Sequence, residues 1–149
     1  MGFIIGTFAI FYIVSSVITG RNLSRIGRPN GLKFGMAGII IQLIMMGCLE
    51  YIESIPIFIG ISFLAMTIGG IGGGLNSTCA MAIITSMFPN EKELYIGILE
   101  AAVGIGLLIG PLLGAFLYSV GGFKLPFWTV AAICITLYPL LIHTNKFIV

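Results

Sequence analysis

Long apolar runs alternate with short polar turns along this chain. The runs cover residues 2–19, 34–49, 55–88, 94–120 and 125–142. A helix needs about 20 mostly apolar residues to cross the hydrocarbon core of a bilayer. The pattern therefore predicts an all-α membrane protein with about five transmembrane helices. The third run is longer than one span requires and contains Gly69, Gly70, Gly72, Gly73 and Gly74. It reads either as two short spans broken at the glycines or as one long, tilted helix. Splitting it would move every later turn to the other side of the membrane and erase the charge bias described below, so one helix is expected.

The turns carry nearly all the charge. Arg21, Arg25, Arg28 and Lys33 lie in 20–33, and Glu50 and Glu53 in 50–54. Glu91, Lys92 and Glu93 lie in 89–93, Lys124 in 121–124, and His143 and Lys146 in the tail. With five spans, all of the 7 Lys and Arg except Lys124 collect on one side. Loop Lys and Arg mark the cytoplasmic face, which places the C-terminus in the cytoplasm and Met1 opposite. Met1 is followed by apolar residues with no basic leader and no small-residue cleavage site, so the first run reads as a retained span. An outside start without a signal sequence suggests a helix missing in front of Met1.

Composition agrees: 58% of residues are hydrophobic, 8% are charged, and the mean hydropathy is +1.16. So little polar material could not cover a soluble domain of this apolar content. The net charge of +2 is too small to argue for a nucleic-acid partner. Cys48, Cys79 and Cys134 each sit inside an apolar run, at spacings that fit neither a zinc site nor a secreted disulfide framework, and read as packing residues. No metal-ligand cluster and no nucleophile with a base at sensible spacing is present, so no enzyme, cofactor or metal is expected.

Small residues recur at helical spacing. Gly69 with Gly73, and Gly70 with Gly74, are pairs that let a neighbouring helix backbone come close, and Gly106, Gly110 and Gly114 do the same on the fourth helix. Pro111 removes a backbone donor in mid-membrane and favours a bend. Tight packing without any moving part explains the same glycines equally well.

The 20–32 turn resembles the signature of the major facilitator superfamily between its second and third helices: Gly, Asp-Arg, Gly-Arg and a closing Leu. Gly20, Arg25, Gly27, Arg28 and Leu32 stand at matching positions. The expected Leu is displaced to Leu23 and the expected Asp is Ser24; the chain has no aspartate at all. Gly106, Gly110, Pro111 and Gly114 resemble the Gly-Pro motif of the family's fifth helix, characteristic of its proton-coupled antiporters. A third signature is half present: Gly70 and Gly72 match, but Met66 occupies the Arg position, which leaves that residue's role in proton coupling without a bearer. The stretch from Gly97 to Phe123 looks most like the vesicular amine transporter and drug:proton antiporter branch.

The resemblance covers essentially the whole chain, as helices two to six of a twelve-helix protein, and implies a partial major-facilitator helical bundle in which residues 1–149 form part of one transporter half. It implies a secondary active transporter of a small organic solute, working by alternating access and proton-coupled antiport, with solute held near the midplane between two halves. The expected partners are the solute, protons, the lipid bilayer, and the missing helices of the same transporter or a second half, with no nucleic acid. The membrane is expected to be the plasma membrane or that of a vesicle or organelle. The alternative is a truncated, non-transporting membrane fragment or an incomplete gene model.

Glu100 is the one acidic residue inside a span, six residues past Leu94 and so about 9 Å into the membrane. A charge there is costly and suits a group that takes up and releases protons, or a carboxylate that reaches back to the surface or pairs with an Arg of the 20–33 turn. Glu50 and Glu53 lie in a turn where they can stay solvated. Tyr12, Ser15 and Ser16 on the first helix, with Asn76, Ser77 and Thr78 on the third, are candidates for a cavity lining or for bonds to neighbouring carbonyls. Asn76-Ser77-Thr78 also spells a glycosylation acceptor, at a depth that disfavours modification.

Overall fold

The computed structural model describes residues 2–148, and the side chains of 2–25 and 27–143. Met1 and the Lys146 side chain, both assigned a side of the membrane by the charge pattern, lie outside the described residues. Five helices follow one another: α1 (Gly2–Ile26), α2 (Arg28–Cys48), α3 (Ile55–Met87), α4 (Lys92–Gly121) and α5 (Lys124–Ile148), with a 3₁₀ turn at Leu49–Tyr51. All five are long and apolar enough to cross a membrane. The chain is an all-α, multi-pass membrane bundle.

α3 runs unbroken through its glycines for 33 residues. At 1.5 Å per residue this is about 50 Å, well beyond the roughly 30 Å hydrocarbon core, so the helix tilts or projects past the surface.

The basic 20–33 segment is not a long loop. α1 continues to Ile26, α2 starts at Arg28, and Gly27 between them takes a φ of 77°, a left-handed conformation that glycine accepts without a Cβ clash. The charged residues thus sit on helix ends that extend beyond the apolar core, where continued helix satisfies backbone groups that a loop would leave to water. α1 bends at Asn22, whose φ and ψ are −107° and 15°. The Asn22 side-chain amide donates to the Ile18 carbonyl (3.0 Å), a local bond that competes with the helical ladder.

Glycines bring α1, α2 and α3 into backbone contact. A Cβ on Gly70 or Gly74 would lie 2.6 Å from the carbonyl oxygen of Phe8 or Tyr12 on α1. On the other side of α3, a Cβ on Gly72 would lie 2.8 Å from the Gly35 carbonyl, and one on Gly35 would lie 2.6 Å from the Asn76 amide nitrogen. Gly70 and Gly74 therefore act as a pair toward α1. Gly69 and Gly73 do not share a neighbour: Gly69 is covered by the Gln42 side chain of α2, and Gly73 meets the Tyr12 ring of α1. Consecutive helical residues point about 100° apart, so one glycine run serves two neighbours.

α5 packs along α2, with the Trp128 indole against Gly47 and Ala131 buried. A small apolar core of Met46, Leu49 and Ala65, flanked by Phe58, Ile61, Met66 and Phe127, joins α2, α3 and α5 at this end. α4 is the outlier. It touches α5 and the edge of α3, and none of its described residues is buried.

Candidate functional site

The signature residues of the first turn lie on the surface. Gly20 has open space around it, Arg25 and Arg28 are exposed, and Gly27 supplies the positive-φ link between α1 and α2. Among the described residues, none of Arg21, Arg25, Arg28 and Lys33 takes part in an ion pair or side-chain hydrogen bond. Ser24, in the place of the signature aspartate, is exposed and offers no charge to hold them.

Glu100 lies on α4, exposed, and is not paired with any cation among the described residues. The structure does not bring it to the arginines of the α1–α2 turn. Gly106, Gly110, Pro111 and Gly114 lie further along the same helix, which continues through Pro111. No heavy atom comes within 4 Å of a Cβ built on Gly106, Gly110 or Gly114, nor on Gly97 or Gly104. Gly70, Gly72 and Gly74 of α3 meet neighbouring backbone, while Gly97, Gly104, Gly106, Gly110 and Gly114 of α4 face open space within this chain.

The candidate cavity residues separate. Tyr12 and Ser16 lie on the α1–α3 contact: the Tyr12 ring stacks on Phe8 (6.1 Å between centroids), and Ser16 donates to the Tyr12 carbonyl (2.8 Å). Asn76 lies on the α2–α3 contact, beside Gly35, and its side chain makes no hydrogen bond among the described residues. Ser15, a buried residue, donates across to the Ile71 carbonyl of α3 (2.8 Å) and so acts as helix glue. Met66, at the position of the family's arginine, accepts a weak hydrogen bond from the Gln42 amide (3.6 Å).

An apolar groove of about 410 Å³ runs between α1 and α3, lined by Phe11, Val14, Ser15, Ile18, Thr19, Ile71 and Leu75. It includes none of Tyr12, Ser16 and Asn76. Thr19 is only 2% exposed, and its hydroxyl has no hydrogen-bond partner among the described residues.

Glu50 departs from the expectation of a solvated loop acid. Its carboxylate accepts the backbone N–H of Lys124 (3.1 Å) and pairs with the Lys124 ammonium (3.5 Å). It thus acts as a cap for the start of α5, supplied from 74 positions away. Nothing local in the sequence signals this pair. The role of Gly35 did carry a signal, since Gly31 and Gly35 stand four apart at the start of α2.

Comparisons with known proteins bear on the whole chain. The family model for the Major Facilitator Superfamily matches residues 1–146. The MFS-type transporter SLC18B1 of Rattus norvegicus is 34% identical over 140 residues, covering 94% of this chain and 31% of that protein. Multidrug resistance protein 1 of Bacillus subtilis (strain 168) is 31% identical over 135 residues, covering 89% of this chain and 32% of that protein. Probable vesicular acetylcholine transporter-A of Danio rerio is 24% identical over 137 residues, covering 91% of this chain and 25% of that protein. The chain spans about a third or less of the length of the curated relatives it matches. No solved structure matches.

Proposed function

This chain belongs to the major facilitator superfamily, and from that premise we propose that it forms part of a secondary active transporter that exchanges a small organic solute for protons. The observation that carries the proposal is the match to the transporter family over nearly the entire chain, which includes the antiporter-type residues Gly106, Gly110, Pro111 and Gly114. Alternating access needs helices that can move against one another around a central site. α4, with its row of small residues and an internal proline, suits such a moving contact. Glu100 on the same helix is the group assigned here to proton coupling, since it is the acid that falls inside one of the apolar runs of the sequence. The relatives' names speak of drug resistance, tetracycline resistance and acetylcholine, which favours small organic solutes as cargo.

The distribution of Lys and Arg supports a cytoplasmic α1–α2 turn, α3–α4 turn and C-terminus, with Glu50 and Lys124 on the opposite side. The second reading is a membrane fragment that does not transport by itself. It is favoured by α4, which has no buried residue.

The test is uptake into proteoliposomes with an imposed pH gradient, using tetracycline and acetylcholine as probes. The 149-residue chain and a longer version carrying further family helices are compared. Gradient-driven uptake by the longer version alone supports both the transporter assignment and the dependence on partners. Uptake by neither, with both correctly inserted, refutes the transporter reading for these solute classes.

A further inference from the structure

The basic ends of α1 and α2 lie next to an apolar groove that continues along α1. Arg21, Arg25, Arg28 and Lys33 have no acidic partner among the described residues, and the acids Glu91 and Glu93 of the α3–α4 turn form no ion pair with them. The start of α2 carries no acid in its first turn. Directly along α1 from this cluster runs the 410 Å³ groove walled by Phe11, Val14 and Ile18 of α1 and by Ile71 and Leu75 of α3.

Phe11, Val14, Ile18, Arg21 and Arg25 recur at alternating steps of three and four residues, which lines up the first four on one helix face, with Arg25 just past the bend at Asn22. Phe11 to Ile18 covers about 10 Å along the helix, which fits within the roughly 15 Å hydrocarbon depth of one leaflet. The face is apolar at membrane depth and cationic at the headgroup level.

We propose that this face holds an anionic phospholipid, its headgroup on Arg21 and Arg25 and an acyl chain in the groove between α1 and α3. Charge complementarity names the occupant. A zwitterionic lipid offers its phosphate to the cations but brings its own ammonium with it, whereas a phosphatidylserine-type headgroup brings a net negative charge to them. Juxtamembrane Lys and Arg clusters attract such headgroups by this means. The site needs only that the chain sits in a bilayer, and does not depend on the transport reading.

The experiment places a fluorophore in the groove. Ile18→Trp is reconstituted into vesicles with acyl-chain-brominated phosphatidylserine or brominated phosphatidylcholine at equal mole fraction. The parent chain, whose single Trp128 lies at the other end of the bundle, gives the background. A Trp at Leu75, on the α3 wall, gives the same reading if Ile18→Trp does not fold. Each cation near the surface corresponds to about fivefold local enrichment, so phosphatidylserine should quench several-fold more strongly. Arg21→Gln/Arg25→Gln should remove the preference, and Arg21→Lys/Arg25→Lys should keep it. Equal quenching by the two lipids overturns the proposal, as does a preference that survives the Gln substitutions. Loss of the preference in inorganic phosphate, but not in chloride of equal ionic strength, would assign the cations to a soluble anion and overturn the lipid assignment.

Discussion

Glu50 and Lys124 join the end of α2 to the start of α5 through two contacts, a carboxylate on a backbone N–H at 3.1 Å and an ion pair at 3.5 Å. The Lys124 ammonium also lies 5.7 Å from the centre of the Tyr51 ring, so its charge meets a carboxylate and an aromatic face together. Below it, Trp128 fills the space left by Gly47. This end of the α2–α5 pair is held by side chains, while the α1–α3 and α2–α3 pairs are held by glycine-mediated backbone contact.

Glu50→Gln is expected to lower stability by about 0.5–1 kcal/mol, and Glu53→Gln by nothing measurable. The lower end of the capping range applies because both members of the pair are more than a third exposed and are screened by solvent. Thermal unfolding in detergent, at low and high salt, separates the two parts. The salt-sensitive fraction reports the ion pair and the remainder reports the bond to the α5 backbone. Equal melting of the Glu50 and Glu53 variants would remove the capping role.

Gly35→Leu should disrupt the bundle and Gly110→Leu should leave this chain unaffected. At Gly35 a Cβ already lies 2.6 Å from backbone of α3, and backbone cannot move aside without parting the helices. Overpacking typically costs about 1–3 kcal/mol, more where backbone must shift. At Gly110 nothing lies within 4 Å. Gly122→Leu is intermediate, because a φ of 73° strains any residue with a Cβ even though the space is open. In a version extended with further family helices, Gly110→Leu is expected to become more damaging than Gly122→Leu. The change in rank between the two proteins, read from melting temperatures, tests whether α4 finds its neighbour outside this chain.

Much of this architecture was legible because its causes are local. Apolar run length set the number of spans, and the charge of the turns argued for α3 as one helix. The glycines of α3 announced close contact through their spacing. What spacing could not show was which glycine meets which neighbour: Gly69 and Gly73 stand four apart yet meet different helices, because α3 sits between α1 and α2. The Glu50–Lys124 pair was invisible, since two turns far apart in the chain meet only after α2 and α5 have packed. Tyr12, Ser16 and Asn76 read as one polar set by composition, but they lie at two separate contacts of α3. Asn22 carried no mark of a bend, because asparagine at a helix end is common and only its bond to Ile18 distinguishes it.

Single-cysteine labelling should place the two ends of the bundle on opposite sides. In a background with Cys48, Cys79 and Cys134 replaced, Arg28→Cys should react with an impermeant maleimide from the cytoplasmic side, and Glu53→Cys from the other. Both positions are exposed, so access does not limit the reaction. The motive is the concentration of Lys and Arg at the α1–α2 turn. Labelling of both from one side would contradict the odd number of crossings between the cytoplasmic and opposite turns.

Glu100→Gln is expected to abolish the pH dependence of solute exchange while leaving insertion and folding intact. Glu100 makes no ion pair among the described residues and lies on an exposed part of α4, so folding of this chain does not rely on its charge. Glu100 lies within the fourth apolar run, and under the proposed function its protonation is the step that couples solute exchange to pH. Gln keeps the size and hydrogen-bonding capacity and removes only ionisation. In a version extended with further family helices, if it transports as proposed, uptake driven by a pH gradient should fall at least tenfold, about 1.4 kcal/mol of coupling, while exchange without a gradient continues. Glu50→Gln serves as the comparison: it should lower stability slightly and leave the pH profile unchanged, since Glu50 ties the end of α2 to the start of α5. An unaltered pH profile in Glu100→Gln would show that this carboxylate only reaches back to the surface, and the proton-coupling residue would have to lie elsewhere in the transporter.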